Sequence, residues 1–196
     1  MNLPHLTRKD LMSLEQYSTA RKEFRTKVIE HKRNRSVALG PNATWTFEDQ
    51  LTMQYQVQEM LRVERIFEAD AIQEELDTYN PLIPDGRNWK ATFLLEFPDA
   101  DERRERLAQL KGAEDRCWVQ VAGFDRVWAI ADEDLEREND DKTSSVHFLR
   151  FELSPQMCAQ VKAGAAIGAG IDHDNYRHAV ASLPQNVRES LAKDLA

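Results

Sequence analysis

Residues 145–153 read Ser145-Val146-His147-Phe148-Leu149-Arg150-Phe151-Glu152-Leu153. His147, Leu149, Phe151 and Leu153 fall on one face, a two-residue period that suits a strand with one side on a core. The same alternation appears upstream in Ala91, Phe93, Leu95 and Phe97. Cys117–Ala122 and Phe124–Ala131 read as the two arms of a hairpin around Gly123, and Ala165–Ile171 as a last strand of small side chains. Residues 100–111 form a charged helix ending near Gly112. Ser154-Pro155 opens a short helix through Lys162, and the tail from Pro184 closes the chain as a helix carrying Val187, Leu191 and Leu195.

The first half has a different period. Thr7 followed by Asp10 suggests a helix start, after which Leu11, Leu14, Tyr17, Phe24, Val28 and His31 recur every three or four residues. Helices are expected at about 10–33, at 49–67 behind an Asp49 cap, and at 70–79, where Asn80-Pro81 stops the third. Two short strands, Ser36–Leu39 and Thr44–Phe47, flank Gly40-Pro41-Asn42. Helices first and strands second, with short connections, indicate an α+β fold. The expectation is a single domain over 1–196, helical over about 7–80 and sheet-rich over about 90–175. Its N-terminal helices pack on a mainly antiparallel sheet, with a closing C-terminal helix.

Composition narrows the chemistry. The 196 residues are 41% hydrophobic and 31% charged, with only seven Gly and seven Pro, which fits a globular chain with a packed core. A net charge of -8 argues against nucleic acid. No stretch reaches the roughly 18 apolar residues of a membrane helix, and no secretory leader opens the chain, so a cytoplasmic protein is expected. Cys117 and Cys158 are isolated, as befits structural thiols, and two cysteines do not make a Cys₄ iron–sulfur site. The phosphate loop, the nucleophile elbow, the dinucleotide fingerprint and the Glu-x-x-His pairs of di-iron bundles are all missing from the sequence. Residues 132–142 hold seven carboxylates without EF-hand spacing and read as a solvated loop.

Several segments resemble a known bacterial family. They are Val37-Ala38-Leu39-Gly40-Pro41, Gln58-Glu59-Met60-Leu61-Arg62 with Glu64-Arg65-Ile66, Thr78-Tyr79-Asn80-Pro81-Leu82-Ile83-Pro84, Ser145-Val146-His147-Phe148-Leu149-Arg150-Phe151 and Gly170-Ile171-Asp172-His173. In order and over about Leu6 to Leu195, they resemble domain of unknown function family 3501. That family's members are often encoded beside rubrerythrin-like proteins and cysteine-rich iron–sulfur oxidoreductase subunits. The resemblance therefore implies a noncatalytic accessory or binding protein of a redox system, related to oxidative stress, with such a protein as partner. Residues 1–35 hold nine Lys/Arg against four Asp/Glu, so Arg21, Lys22, Arg25 and Lys32 are the expected docking charges.

Two polar constellations stand out. On the second helix Met53, Val57, Met60, Glu64 and Phe67 share a face, and Glu59 and Arg62 are three apart, so Glu59, Arg62 and Glu64 form a network that either poises a carboxylate or fixes helix packing. The second comprises His147, Asp172 and His173, whose imidazoles and carboxylate suit zinc or iron, as in a small metal-dependent enzyme. Asp174 and His178 lie nearby in sequence. For Asp172 and His173 to face one site the strand must already have turned at Gly170–Asp172, because neighbours on a strand point to opposite sides.

Overall fold

The computed structural model describes residues 5–135, 137, 139 and 141–196. The α+β class holds, and capping chemistry sets the helix bounds. Thr7 and Asp10 do bond to each other, with the Thr7 N–H and hydroxyl both 2.7 Å from Asp10 Oδ2, but they close a single 3₁₀ turn, Arg8–Asp10. The Met12 N–H is taken by Gln58 Oε1 at 2.6 Å, so the long helix α1 (Leu14–Arg33) starts afterwards at its own Ser13/Gln16 capping box. Asp49 caps α2 (Gln50–Glu64), which stops at Arg65 in the left-handed region, φ 56°, short of the expected Phe67. Helix α3 (Ala69–Tyr79) ends in a 3₁₀ turn at Asn80–Leu82. These helices carry their own apolar cluster, with Met53, Val57 and Leu61 of α2 against Leu76, Ile83 and Leu6.

The strands divide between two antiparallel sheets. The first contains β1 (Ser36–Ala38), β2 (Ala43–Phe47), β3 (Asn88–Leu95), β6 (Ile130–Ala131) and β7 (Val146–Glu152), in the order β1-β2-β3-β7-β6. The second contains β4 (Cys117–Val121), β5 (Val127–Trp128), β8 (Ile167–His173) and β9 (Tyr176–Val180), in the order β5-β4-β8-β9. One extended arm serves both. Val127–Trp128 pairs with β4, and after Ala129 the same chain pairs Ile130–Ala131 with β7. On the opposite side the Tyr176 hydroxyl donates to Leu39 O at 2.7 Å and accepts from the Asn42 N–H at 3.0 Å, tying β9 to the β1–β2 turn. The main core lies between the sheets, where Trp45, Phe47, Phe93 and Phe151 share one cluster with Val119, Ile167 and Ile171. Both cysteines are buried there as free thiols, and burial raises both their pKa values. Helices α4 (Ala100–Gln109), α5 (Pro155–Lys162) and α6 (Gln185–Ala192) close the periphery. Among the described residues no helix is long and apolar enough to cross a membrane.

One side chain fastens the ends of this arrangement together. Arg35 follows α1 and is 1% exposed. Its guanidinium donates to Phe47 O (2.8 Å), Glu48 O (3.0 Å), Ser190 Oγ (3.1 Å) and Asp194 Oδ2 (2.5 Å). Asp49 lies 3.5 Å from Nε and also accepts from His31 at 2.5 Å. Burial pushes the Asp194 carboxyl up to about 6 against the pull of Arg35, and the charge of Asp49 adds to the rise. Arg35→Met strands Asp194 without its cation and is expected to cost about 3–5 kcal/mol at neutral pH in denaturant unfolding. The cost should shrink as pH falls toward 6, because without the guanidinium Asp194 takes up its proton above the value of about 6 that it has beside Arg35, and should level off below that. A cost independent of pH would show that Asp194 is not the group left stranded.

Candidate functional site

Strand alternation turns His147 inward from β7, and the ring is fully buried, 5.7 Å from the Phe93 ring centroid. Its surroundings come from three separate segments. Asp132 sits where the chain leaves β6, and its Oδ2 is 2.6 Å from His147 Nδ1. Thr143 is held by its own N–H on Leu107 O, and its hydroxyl lies 3.1 Å from Nε2. The Ser144 carbonyl is 3.1 Å from the same nitrogen. Glu114, in the 3₁₀ turn before β4, places Oε2 3.8 Å from Nε2 and 3.5 Å from Thr143 Oγ1. A donor atom from each of Glu114, Asp132 and His147 falls within one 4.8 Å group, the single such cluster among the described residues.

Asp132 is fixed with unusual force. It adopts φ 49°, a left-handed conformation that a residue with a Cβ takes up at some energetic cost. That conformation lets Oδ1 accept from the Phe148 N–H at 2.9 Å while Oδ2 serves His147. Arg137 Nε adds a contact at 3.4 Å, and its guanidinium lies 4.7 Å from the Phe148 ring centroid. Without another cation, both ring nitrogens carry protons, because the Asp132 carboxylate and the Ser144 carbonyl only accept. Burial alone would pull the His147 pKa down. The hydrogen bond to Asp132, the charges of Glu114 and Asp132 and the Ser144 carbonyl outweigh it, and the net shift is upward.

The structure does not gather His147, Asp172 and His173. The required turn at Gly170–Asp172 is absent: β8 continues through His173, with Ile171 opposite His178 and His173 opposite Tyr176. The reason lies in a strand that the sequence reading missed. β9 extends the pairing of β8 two residues beyond Ile171, and its exposed Arg177, His178 and Ala179 hide the strand period. Asp172 is engaged by Arg126 (3.3 Å) and Arg177 (3.1 Å) on the outer side. His173 Nε2 reaches Lys111 O at 3.0 Å, and its Nδ1 accepts from the Asn175 N–H at 3.2 Å. Asp174 pairs with exposed Arg177, and the His178 ring lies 4.6 Å from that of Tyr176.

In the helical part, Glu59 is the centre of a network, but with a different membership. It accepts from Tyr17 Oη (2.6 Å), Arg21 Nε and Nη2 (2.8 and 2.9 Å) and Arg62 Nη2 (3.3 Å). Glu64 and Phe67 are exposed, and Leu61 takes the inward position, because the face of α2 that meets α1 and α3 runs through Met53, Val57 and Leu61. The bidentate Arg21 holds the Glu59 carboxyl at about 2, although burial raises it, with Tyr17 and Arg62 assisting. A depressed folded pKa contributes stability above the ordinary glutamate value of 4.5 and loses it as pH falls toward 2. The melting temperature should therefore fall more steeply across that window in the parent chain than in Glu59→Gln. Equal slopes would show that this carboxylate is not what links α1 and α2 to pH.

A family model described as "Protein of unknown function (DUF3501)" matches residues 5–195. No curated protein matches the chain. A crystal structure of a novel protein of unknown function from Burkholderia pseudomallei K96243 is similar over 98% of this chain and 100% of that one, with 47% identity and a TM-score of 0.94.

Proposed function

We propose that this chain, which belongs to the DUF3501 family of proteins of unknown function, is a divalent-cation-binding accessory protein. The cation would be held at His147 Nε2 in place of the proton. The carrying observation is the spacing of oxygen atoms around that nitrogen. Thr143 Oγ1 and Ser144 O lie 3.1 Å away, Glu114 Oε2 lies 3.8 Å away, and the two side-chain oxygens are 3.5 Å apart. A tetrahedral ion with bonds of about 2.0–2.1 Å has ligand edges of about 3.3 Å, so small shifts would seat zinc or iron(II) among these four atoms. Asp132 would then act behind the imidazole, accepting from Nδ1–H and fixing the tautomer that presents Nε2 to the metal.

The burial of His147 favours a structural ion over a catalytic one, since a catalytic site keeps a coordination position open to substrate. Such an ion would clamp Thr143 and Ser144 against β7 and the turn before β4. The redox setting implied by the family resemblance supplies the wider role. On α1, Lys22 and Arg25 are exposed and Lys32 is half-buried, whereas Arg21 is committed to Glu59. A rubrerythrin-like or iron–sulfur partner would therefore meet Lys22, Arg25 and Lys32, with binding that weakens as salt rises.

Zinc titrated into metal-free protein is expected to bind one equivalent per chain and raise the melting temperature. His147→Ala should abolish that binding, and Asp132→Asn should weaken it by about 10–100-fold. Protons compete for Nε2, and the raised His147 pKa means that apparent affinity grows as pH rises through it. The same sign governs the metal-free chain: stability from the imidazolium is present at low pH and lost as pH rises through the folded pKa, and zinc should offset that loss. Neither uptake nor a melting shift with zinc or iron(II) would return the cluster to a purely structural role.

A further inference from the structure

A separate cleft of about 480 Å³ opens between α5 and α6, within the roughly 300–1,000 Å³ of small-molecule pockets. Val161, Ala165 and Ala192 give it an apolar lining, and Lys162, Arg188 and Lys193 surround it with three cations. In a chain of net charge -8, three cations here face a single lining carboxylate, Glu189. Several arginines elsewhere face carboxylates, as Arg21 meets Glu59, Arg35 meets Asp194, Arg126 meets Asp172 and Arg150 meets Glu133, while Arg103 and Arg116 donate to backbone carbonyls. Among the described residues, Lys162, Arg188 and Lys193 have no ion pair. The carboxylate lining the cleft, Glu189, already accepts from Gln185 Nε2 at 2.7 Å.

Arg188 is the central donor. It is half-buried, and its Nε–H is covered without an acceptor. The guanidinium makes one long contact, Nη1 to Gly164 O at 3.4 Å, just past the end of α5. A covered donor without a partner has lost its hydration and gained nothing in return. A small turn of the guanidinium would aim a pair of N–H groups at an oxyanion in the cleft, the geometry in which arginine binds carboxylate and phosphate best. Lys162 and Lys193 are exposed and would add charge from the rim.

We propose that this cleft binds a small organic anion, with a carboxylate or phosphate group at Arg188 and a short apolar body over Val161, Ala165 and Ala192. Both headgroups share the planar or tripodal oxyanion that Arg188 recognises, and the apolar lining distinguishes such a ligand from a bare ion. The test is calorimetric titration of the full chain, stripped of metal and then dialysed free of chelator, so that failure here is independent of the cation site. The probes are hexanoate, hexyl phosphate, inorganic phosphate and hexanol. Binding of hexanoate or hexyl phosphate is expected, with inorganic phosphate weaker and hexanol silent, and the tighter of the two identifies the headgroup. Arg188→Gln should weaken binding by about tenfold or more. Ala192→Leu, which fills the lining and leaves every charge in place, should also weaken it. Because both positions are half-buried, exposed Lys162→Glu serves as a third variant, expected to weaken binding without disturbing the fold. No binding of either organic anion, or binding that all three variants leave unchanged, overturns the proposal.

Discussion

A charge removed from water must find opposite charge or hydrogen-bond partners, and the buried guanidinium of Arg35 shows how much of this fold that requirement organises. Its hydrogen bonds reach the end of β2, the Glu48 carbonyl, and two side chains at the far C-terminal end. The long helix α1 thereby leads directly into the first sheet, while α6 is held against the same point. Trp89 Nε1 adds a bond to Leu191 O at 3.0 Å, and the Ala196 N–H donates to Gly86 O at 2.8 Å. The helical unit has its own apolar cluster and the sheets have theirs. Arg35 and the neighbouring His31–Asp49 pair are the polar connection between α1, the start of α2 and α6.

The same requirement shapes the surroundings of His147. A histidine on the inward face of a central strand normally needs one or two acceptors, and here one acceptor is the Asp132 carboxylate while a second carboxylate, Glu114, lies 3.8 Å from the other ring nitrogen. Asp132 holds a left-handed backbone to reach its position, and Arg137 balances its charge from outside. An imidazolium satisfies this arrangement as a monocation. A divalent ion at Nε2 would neutralise both carboxylates and use the hydroxyl and carbonyl oxygens already facing that nitrogen. Positive charge between Glu114 and Asp132 is the constraint, and the proposed divalent ion is one form of it alongside the imidazolium.

Much of the scaffold was legible from periodicity and caps. The inward face of β7 and the Asp49 cap follow directly from residue types a few positions apart. The long helix was displaced because a capping pair at Thr7 and Asp10 also closes a lone 3₁₀ turn, and only the distant Gln58 decides between the outcomes. The site was half legible. His147 stands out in its strand, but Glu114 and Thr143 reach it through tertiary folding, and Asp132 was hidden as one of the seven carboxylates of 132–142. Its position where the last pairing of β6 ends was the available signal. Glu59 was visible through its three-residue spacing to Arg62, whereas its stronger partners, Tyr17 and Arg21, lie on another helix. Asp172 and His173 misled because small residues before them suggested a strand end, while β9 continued the ladder.

X-ray absorption spectroscopy on zinc-loaded protein would decide whether an ion sits at His147 Nε2, because it reads the donor atoms rather than affinity. One imidazole and a remaining shell of oxygen at about 2.0–2.1 Å, with no sulfur, are expected. In Asp132→Asn the same donor set should persist with less ordered imidazole scattering, as expected when the group behind the ring is weakened. A sulfur shell, two imidazoles, or an all-oxygen shell unaffected by His147→Ala would contradict the assignment of the ion to His147, Glu114, Thr143 and Ser144.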